Sequence, residues 1–393
     1  MRPPRRSGAR PTALALGFTA WACTSKPAPH HRATGETDSG EQVDTGTDSG
    51  SAPMPEVLAA PPWLPAALTV PADSGWAWEL DPTFAIPSAS VPSVFIGEGG
   101  VYGMLLGMQD TYSTGRDVAW SEDGLTWSTP EPLIAAEDFG EDCGLRIEDG
   151  GLWDAGPDGR WLVLEGTQTA PGSLNNPTDR RFCRAGFDAR PGGAAQPADP
   201  PILWSGCAED DVLSVPGILP MHAGARVFFN GTCQRDTAGV HAIDIDSQTF
   251  AVEVSQPDAQ LPGQIVDPNP VYREGGGVDM FVKLRDEESA LNGIARVRLT
   301  DDGRALAAEP VPLLWPEGPC FKPDEQSGPC YADPSFVRAA DGRLVLYFGE
   351  VVEGPDRVST RILRAFATDH PADGSAASRR PPPAIGHPFH FVR

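Results

Sequence analysis

Residues Tyr331 to Glu350 read Y-A-D-P-S-F-V-R-A-A-D-G-R-L-V-L-Y-F-G-E. Asp333-Pro334 opens the stretch. Proline fixes φ and has no N–H, so it suits the entrance of a strand and not its middle. A short apolar run follows at Ser335, Phe336 and Val337, and then the turn Asp341-Gly342. Asp-Gly between apolar runs is a strong short-range hairpin signal. The second strand, Leu344 to Phe348, runs on to Glu350. The stretch is one β-hairpin with a carboxylate at each end.

Four other stretches echo it. Val91-Pro92-Ser93-Val94-Phe95-Ile96 precedes a Gly-rich turn and Val101 to Met108. Leu145 to Trp153 precedes the turn Gly156-Pro157-Asp158-Gly159 and the run Trp161 to Gly166. Val215-Pro216-Gly217-Ile218-Leu219 precedes His222 to Gly224 and Arg226 to Gly231. Asp267-Pro268-Asn269-Pro270-Val271 precedes Glu274 to Gly277 and Val278 to Leu284. The prolines at 92, 216, 268 and 334 and the Leu145 start are spaced by 53, 71, 52 and 66 residues. A four-stranded propeller blade takes about 40–50 residues, more with loops. Five such units close most simply into a five-bladed β-propeller, which leaves only short, protected sheet edges. The expected fold class is therefore all-β.

Composition agrees with this. The chain has 393 residues, with 43 Gly, 42 Pro and only 21% charged residues. Frequent punctuation between short apolar runs favours an all-β fold. A net charge of −24 leaves no basic footprint for nucleic acid.

The ends of the chain read differently. Arg2, Arg5, Arg6 and Arg10 precede a short apolar core, Thr12 to Ala22, too short to span a bilayer permanently. It ends at Ala20-Trp21-Ala22-Cys23, which resembles a bacterial lipobox. That resemblance implies export and a lipid on Cys23; bulky Trp21 departs from the usual motif and leaves ordinary secretory cleavage open. Residues 1–23 are thus a signal segment. Residues 24–60, with Thr37-Asp38-Ser39-Gly40 and Asp44 to Gly50, are a polar, acidic tether that cannot bury enough apolar area to order itself. The propeller is expected over 61–393. The expected state is a monomer in the cell envelope, touching the membrane only through its anchor.

Seven cysteines are present. With Cys23 set aside, six remain in a chain bound for an oxidising compartment. Proximity suggests Cys143–Cys183, Cys207–Cys233 and Cys320–Cys330, out of 15 possible pairings. No spacing suits zinc. No cofactor is expected, although an acidic funnel leaves a divalent cation such as calcium conceivable.

Two motifs carry family resemblances. Ser121-Glu122-Asp123-Gly124-Leu125-Thr126-Trp127 resembles the Asp-box turn of sialidases and other propellers, a structural motif of outer strands. The Asp-Pro hairpins at Asp333 and Asp267 resemble those of five-bladed glycoside hydrolases of the family 43 and family 32 type. That resemblance implies a carbohydrate-active site in the central funnel. It implies a base Asp on the first blade, a second Asp that tunes its partner, and a Glu acid. Here the first-blade position is Val91, a departure from that pattern that leaves the first blade without a base. The candidate catalytic residues are Asp267, Asp333 and Glu350. Asp211, His222 and Trp153 are candidate substrate contacts. The rival expectation is a degenerate propeller that binds a glycan or a protein without turning it over.

Overall fold

The computed structural model describes residues 58–72, 76–108, 114–168, 180–206, 213–231, 239–254, 265–286, 291–317, 320, 328–353 and 358–368. Cys23, Cys207, Asp211 and Cys233 lie outside them, as does the tether up to residue 57.

Five sheets form the molecule, each built on an antiparallel blade. Blade one is Ala89–Ile96, Tyr102–Met108, Gly115–Ser121 and Glu131–Ala135. Blade two is Arg146–Asp154, Arg160–Thr167, Arg180–Phe187 and Ala195–Trp204. Blade three is Leu213–Met221, Gly224–Gly231, Gly239–Asp246 and Val252–Val254. Blade four is Ile265–Arg273, Val278–Asp286, Leu291–Arg298 and Val311–Leu314. Blade five is Cys330–Arg338, Leu344–Glu353 and Val358–Thr368. The first strand of each blade contacts that of the next, and blade five contacts blade one, so the ring closes. The chain is a five-bladed β-propeller.

Closure uses the N-terminal side of the domain. Ala77–Leu80 pairs antiparallel with Val358–Thr368 and completes blade five from outside. Arg364 clamps this junction: its guanidinium pairs with Asp81, both side chains 11% exposed, and lies over the Phe84 ring. Just upstream, Thr69–Val70 pairs parallel with Tyr272 and Arg273 of the blade-four inner strand. Leu64, Pro65 and Leu68 of the same segment line the central cavity. One short segment therefore lines the channel and latches the ring.

The apolar interior is divided among the seams between blades. Phe95, Trp120 and Phe187 join blades one and two. Trp153, Phe229 and Ile243 join two and three. Phe228, Tyr272 and Met280 join three and four. Phe281 and Phe336 stack between four and five at 5.2 Å. Met104, Val337 and Tyr347 join five and one. Alternating side chains along each strand supply both faces of a blade, so every blade is buried on two sides.

The stretch Ser121 to Trp127 folds into a tight turn. Ser121 Oγ accepts from Gly124 N at 2.8 Å, and Asp123 Oδ1 accepts from Leu125 N and Thr126 N at 2.8 and 2.7 Å. Gly124 sits at φ 73°, the region that favours glycine. Trp127 Nε1 donates to Tyr347 Oη at 3.0 Å, which pins this turn of blade one to blade five. Disulfides join Cys143 to Cys183 and Cys320 to Cys330, with Cα separations of 6.0 and 5.2 Å.

Candidate active site at the channel mouth

The inner strands are bulged where they enter the channel. In blades one, three, four and five the pairing slips between Ser90 and Ser93, Ser214 and Gly217, Val266 and Asn269, and Ala332 and Ser335. The residues inside each slip are X-Pro pairs: Val91-Pro92, Val215-Pro216, Asp267-Pro268 and Asp333-Pro334. Proline has no N–H to give to the ladder, so a bulge is where a strand accommodates it. The residue before it is left-handed in each case, at φ 51°, 53°, 54° and 50°. For β-branched valine that is a strained conformation, costing on the order of 1–3 kcal/mol.

Blade two makes the same feature without proline. Its slip falls between Ile147 and Asp149, with Glu148 as the extra residue. Ser93, Gly151, Gly217, Asn269 and Ser335 each lie three residues before a residue paired across the hairpin. Two residues earlier stand Val91, Asp149, Val215, Asp267 and Asp333, and all five line the central cavity. The blade-two counterpart is thus Asp149, and not the Leu145 start read from the sequence; Leu145 is 49% exposed, outside the strand. Three of five mouth positions carry carboxylates.

The second strands contribute a parallel set, Gly107, Glu165, Asn230, Lys283 and Gly349, each opposite the slip. Asn230 of blade three brackets Asp267: its Nδ2 donates to Asp267 Oδ1 at 2.8 Å, and its Oδ1 accepts from Asp267 N at 2.9 Å. Lys283 Nζ forms an ion pair with Asp267 Oδ2 at 3.4 Å. Glu165 of blade two reaches blade three in the same manner, its Oε2 accepting from Val215 N at 2.7 Å. Its other oxygen pairs with Arg180, which also donates to Ser214 Oγ at 2.8 Å and lies 3.3 Å from Glu148. Arg116 of blade one, 1% exposed, donates to Val91 O at 2.7 Å and Glu148 O at 3.0 Å.

Crowding of carboxyls in a dry mouth changes their acidity. Burial, reinforced by the Asp267 charge, pushes Asp333 from the ordinary 3.8 up to about 7, against the opposing pull of Lys283 and Arg116. Asp149 is pushed well up by burial and by the Asp333 charge. Burial raises Glu165 too, although Arg180 opposes it. A carboxyl poised near neutrality beside an ion-paired one is the division of labour that acid–base chemistry needs. The cavity below holds about 90 Å³, room for roughly half a dozen waters.

The other candidate residues lie elsewhere. Glu350 is one residue past the inward-facing Gly349, so it points to the other face of its strand; it pairs with Arg361 and lies opposite Tyr331. Trp153 is fully buried in the seam of blades two and three, with Nε1 donating to Gly224 O at 3.2 Å and its ring against Phe250. It has no face to offer a sugar. His222 is exposed at the hairpin tip of blade three, edge-on to Trp63 at 5.8 Å, at the opposite end of the inner strand from Val215. Asp149, Lys283 and Asn230 are the residues that a search anchored on Asp-Pro passes over. Among the described residues no group of His, Cys, Asp and Glu is arranged to hold a metal ion.

The chain matches no protein-family model and no curated protein. Solved structures resemble it in fold. A thermostable family-43 glycoside hydrolase is 12% identical, with 77% of this chain and 98% of that one aligned at a TM-score of 0.49. An α-L-arabinofuranosidase from Lactobacillus brevis is 12% identical over 72% of this chain and 92% of its own, TM-score 0.49. An endo-1,5-α-L-arabinanase from Thermotoga petrophila RKU-1 is 12% identical over 77% and 78%, TM-score 0.46.

Proposed function

We propose that the channel mouth is a carbohydrate site that hydrolyses glycosidic bonds, with Asp333 as general acid and Asp267 as its anionic partner. The observation that carries this is the pairing of a carboxyl held near pH 7 with an ion-paired carboxylate on the adjacent blade of one channel. Asp333, protonated up to about pH 7, gives its proton to the leaving-group oxygen. Asp267, held by Asn230 and Lys283, activates water or meets the developing positive charge at the anomeric carbon. Asp149, pushed well up by burial and by the Asp333 charge, stands protonated at the neighbouring mouth position. The chain would work outside the cytoplasm, anchored through Cys23 or secreted.

The test is release of sugar or aglycone from a broad panel of aryl-glycosides and polysaccharides by the folded domain. Activity should fall above about pH 7 as Asp333 loses its proton, and Asp333→Asn should lose at least about a hundredfold. A panel with no turnover, or full activity in Asp333→Asn, rejects the assignment. One observation favours a second reading, in which the mouth captures a glycan without turnover: Val91 and Val215 place apolar side chains at two of the five mouth positions. Glycan-array binding lost in an Asp267→Ala variant, with no product formed, would select it.

A further inference from the structure

The chain contains three lysines, Lys26, Lys283 and Lys322, against 27 arginines. Lys283 is the lysine among the described residues, and its side chain is 15% exposed at the channel mouth. Where nine cations in ten are arginine, a lysine at this position has a physical reason. An ammonium is a compact point charge on a flexible stem, whereas a guanidinium is a larger, rigid planar fork.

We propose that Lys283 is a positioning residue that, through its ion pair with Asp267, sets how tightly the neighbouring Asp333 holds its proton. The geometry supports it from every side. Lys283 lies on the second strand of blade four, across the bulge from Asp267 and 3.4 Å from its Oδ2. Blade three contributes Asn230, neutral and already bonded to Asp267. Blade two contributes Asp149 and Glu165, with Arg180 taken up by Glu165, Glu148 and Ser214. Blade one contributes Arg116, whose two terminal nitrogens donate to the carbonyls of Val91 and Glu148. In blade five the position corresponding to Lys283 is Gly349, which adds no charge. Lys283 is thus the ammonium that faces the Asp267–Asp333 pair. It holds Asp267 in an ion pair and draws down the proton affinity of Asp333. Without it Asp333, facing the Asp267 charge with no cation against it from blade four, would bind its proton more tightly.

The inference rests on reading these two residues as acid and partner, but its test needs no substrate. In protein labelled with carboxyl-13C aspartate, Asp267→Asn and Asp333→Asn assign the two signals. Lys283→Met should then raise the titration midpoint of Asp333 by about one pH unit, a tenfold gain in proton affinity, and Lys283→Arg should restore most of it. The wild-type chain supplies a second measurement that no folding defect can obscure. With 13Cε-labelled lysine, the Lys283 signal should move with the same midpoint as Asp333. A Lys283 signal that stays flat between pH 4 and 9, or an Asp333 midpoint unchanged in Lys283→Met, overturns the inference. If the titrations behave as expected and no glycoside is cleaved, Lys283 keeps its role and the hydrolase reading fails alone.

Discussion

Replacing Asp333 by Asn should make the protein more stable at alkaline pH and leave it nearly unchanged in acid. In the unfolded chain this carboxyl titrates near 3.8, and in the folded mouth near 7. Its folded pKa is raised, so its favourable contribution is fully present below about 3.8 and is lost as pH rises through about 7. Above that, the fold must hold an ionised carboxyl beside Asp267. The difference of about three pH units, at 1.36 kcal/mol each, sets a ceiling near 4 kcal/mol at pH 8. Relaxation of the mouth around the ionised group lowers this, and about 2 kcal/mol is the working expectation. Asparagine keeps the shape and cannot ionise. Urea unfolding of wild type and variant at half-unit steps from pH 3 to 9 would show the two midpoints diverging from about pH 4 and the gap levelling off above about pH 7. Parallel curves, with a stability difference independent of pH, would falsify the claim that the mouth holds Asp333 under electrostatic load. A function that requires a strained, dry carboxyl commonly costs stability in this way.

Other perturbations test the frame around the mouth. Asp81→Ala strips the half-buried Arg364 of its carboxylate partner at the ring closure, leaving its bond to Leu125 O, and should cost about 1–2 kcal/mol in chemical denaturation; a loss below about 0.5 kcal/mol means Ala77–Leu80 is not a latch. Trp153→Ala should cost about 3–5 kcal/mol through the cavity it leaves, with little change in ligand binding; weakened binding at preserved stability would return Trp153 to the site. Removing the Cys143–Cys183 bridge, 40 residues apart, should destabilise by about 4 kcal/mol, against about 3 for Cys320–Cys330, 10 residues apart. Equal or reversed losses, read from denaturant midpoints, would contradict the loop-entropy account.

Much of the architecture was legible along the chain, because a hairpin is a local object. Asp341-Gly342 turns where an Asp-Gly pair turns, and the X-Pro pairs mark bulges because proline cannot join a ladder. Five such hairpins imply a ring, and proximity alone proposed two disulfides that the structure contains. Reading by proline also set its limit. Blade two builds its bulge from Glu148 and carries Gly150 where the others carry proline, so its mouth residue was sought at Leu145 instead of Asp149. Glu350 looked like a partner acid because it ends a strand, but strand parity turns it toward Tyr331 and Arg361.

What the sequence determined by itself is the repeated unit and the residue types at each mouth: Asp267 and Asp333, with Val91 and Val215 beside them. Only the tertiary structure decided which of these meet. The closing of the ring by Ala77–Leu80, the lining of the channel by Leu64, Pro65 and Leu68, and the gathering of Asp149, Asp267, Asp333, Glu165 and Lys283 join residues far apart in the chain. The acidity of Asp333 is the clearest case. Its composition is that of any aspartate; its rise toward neutral pH comes from lost water and from charges on neighbouring blades, which exist only once the blades are packed.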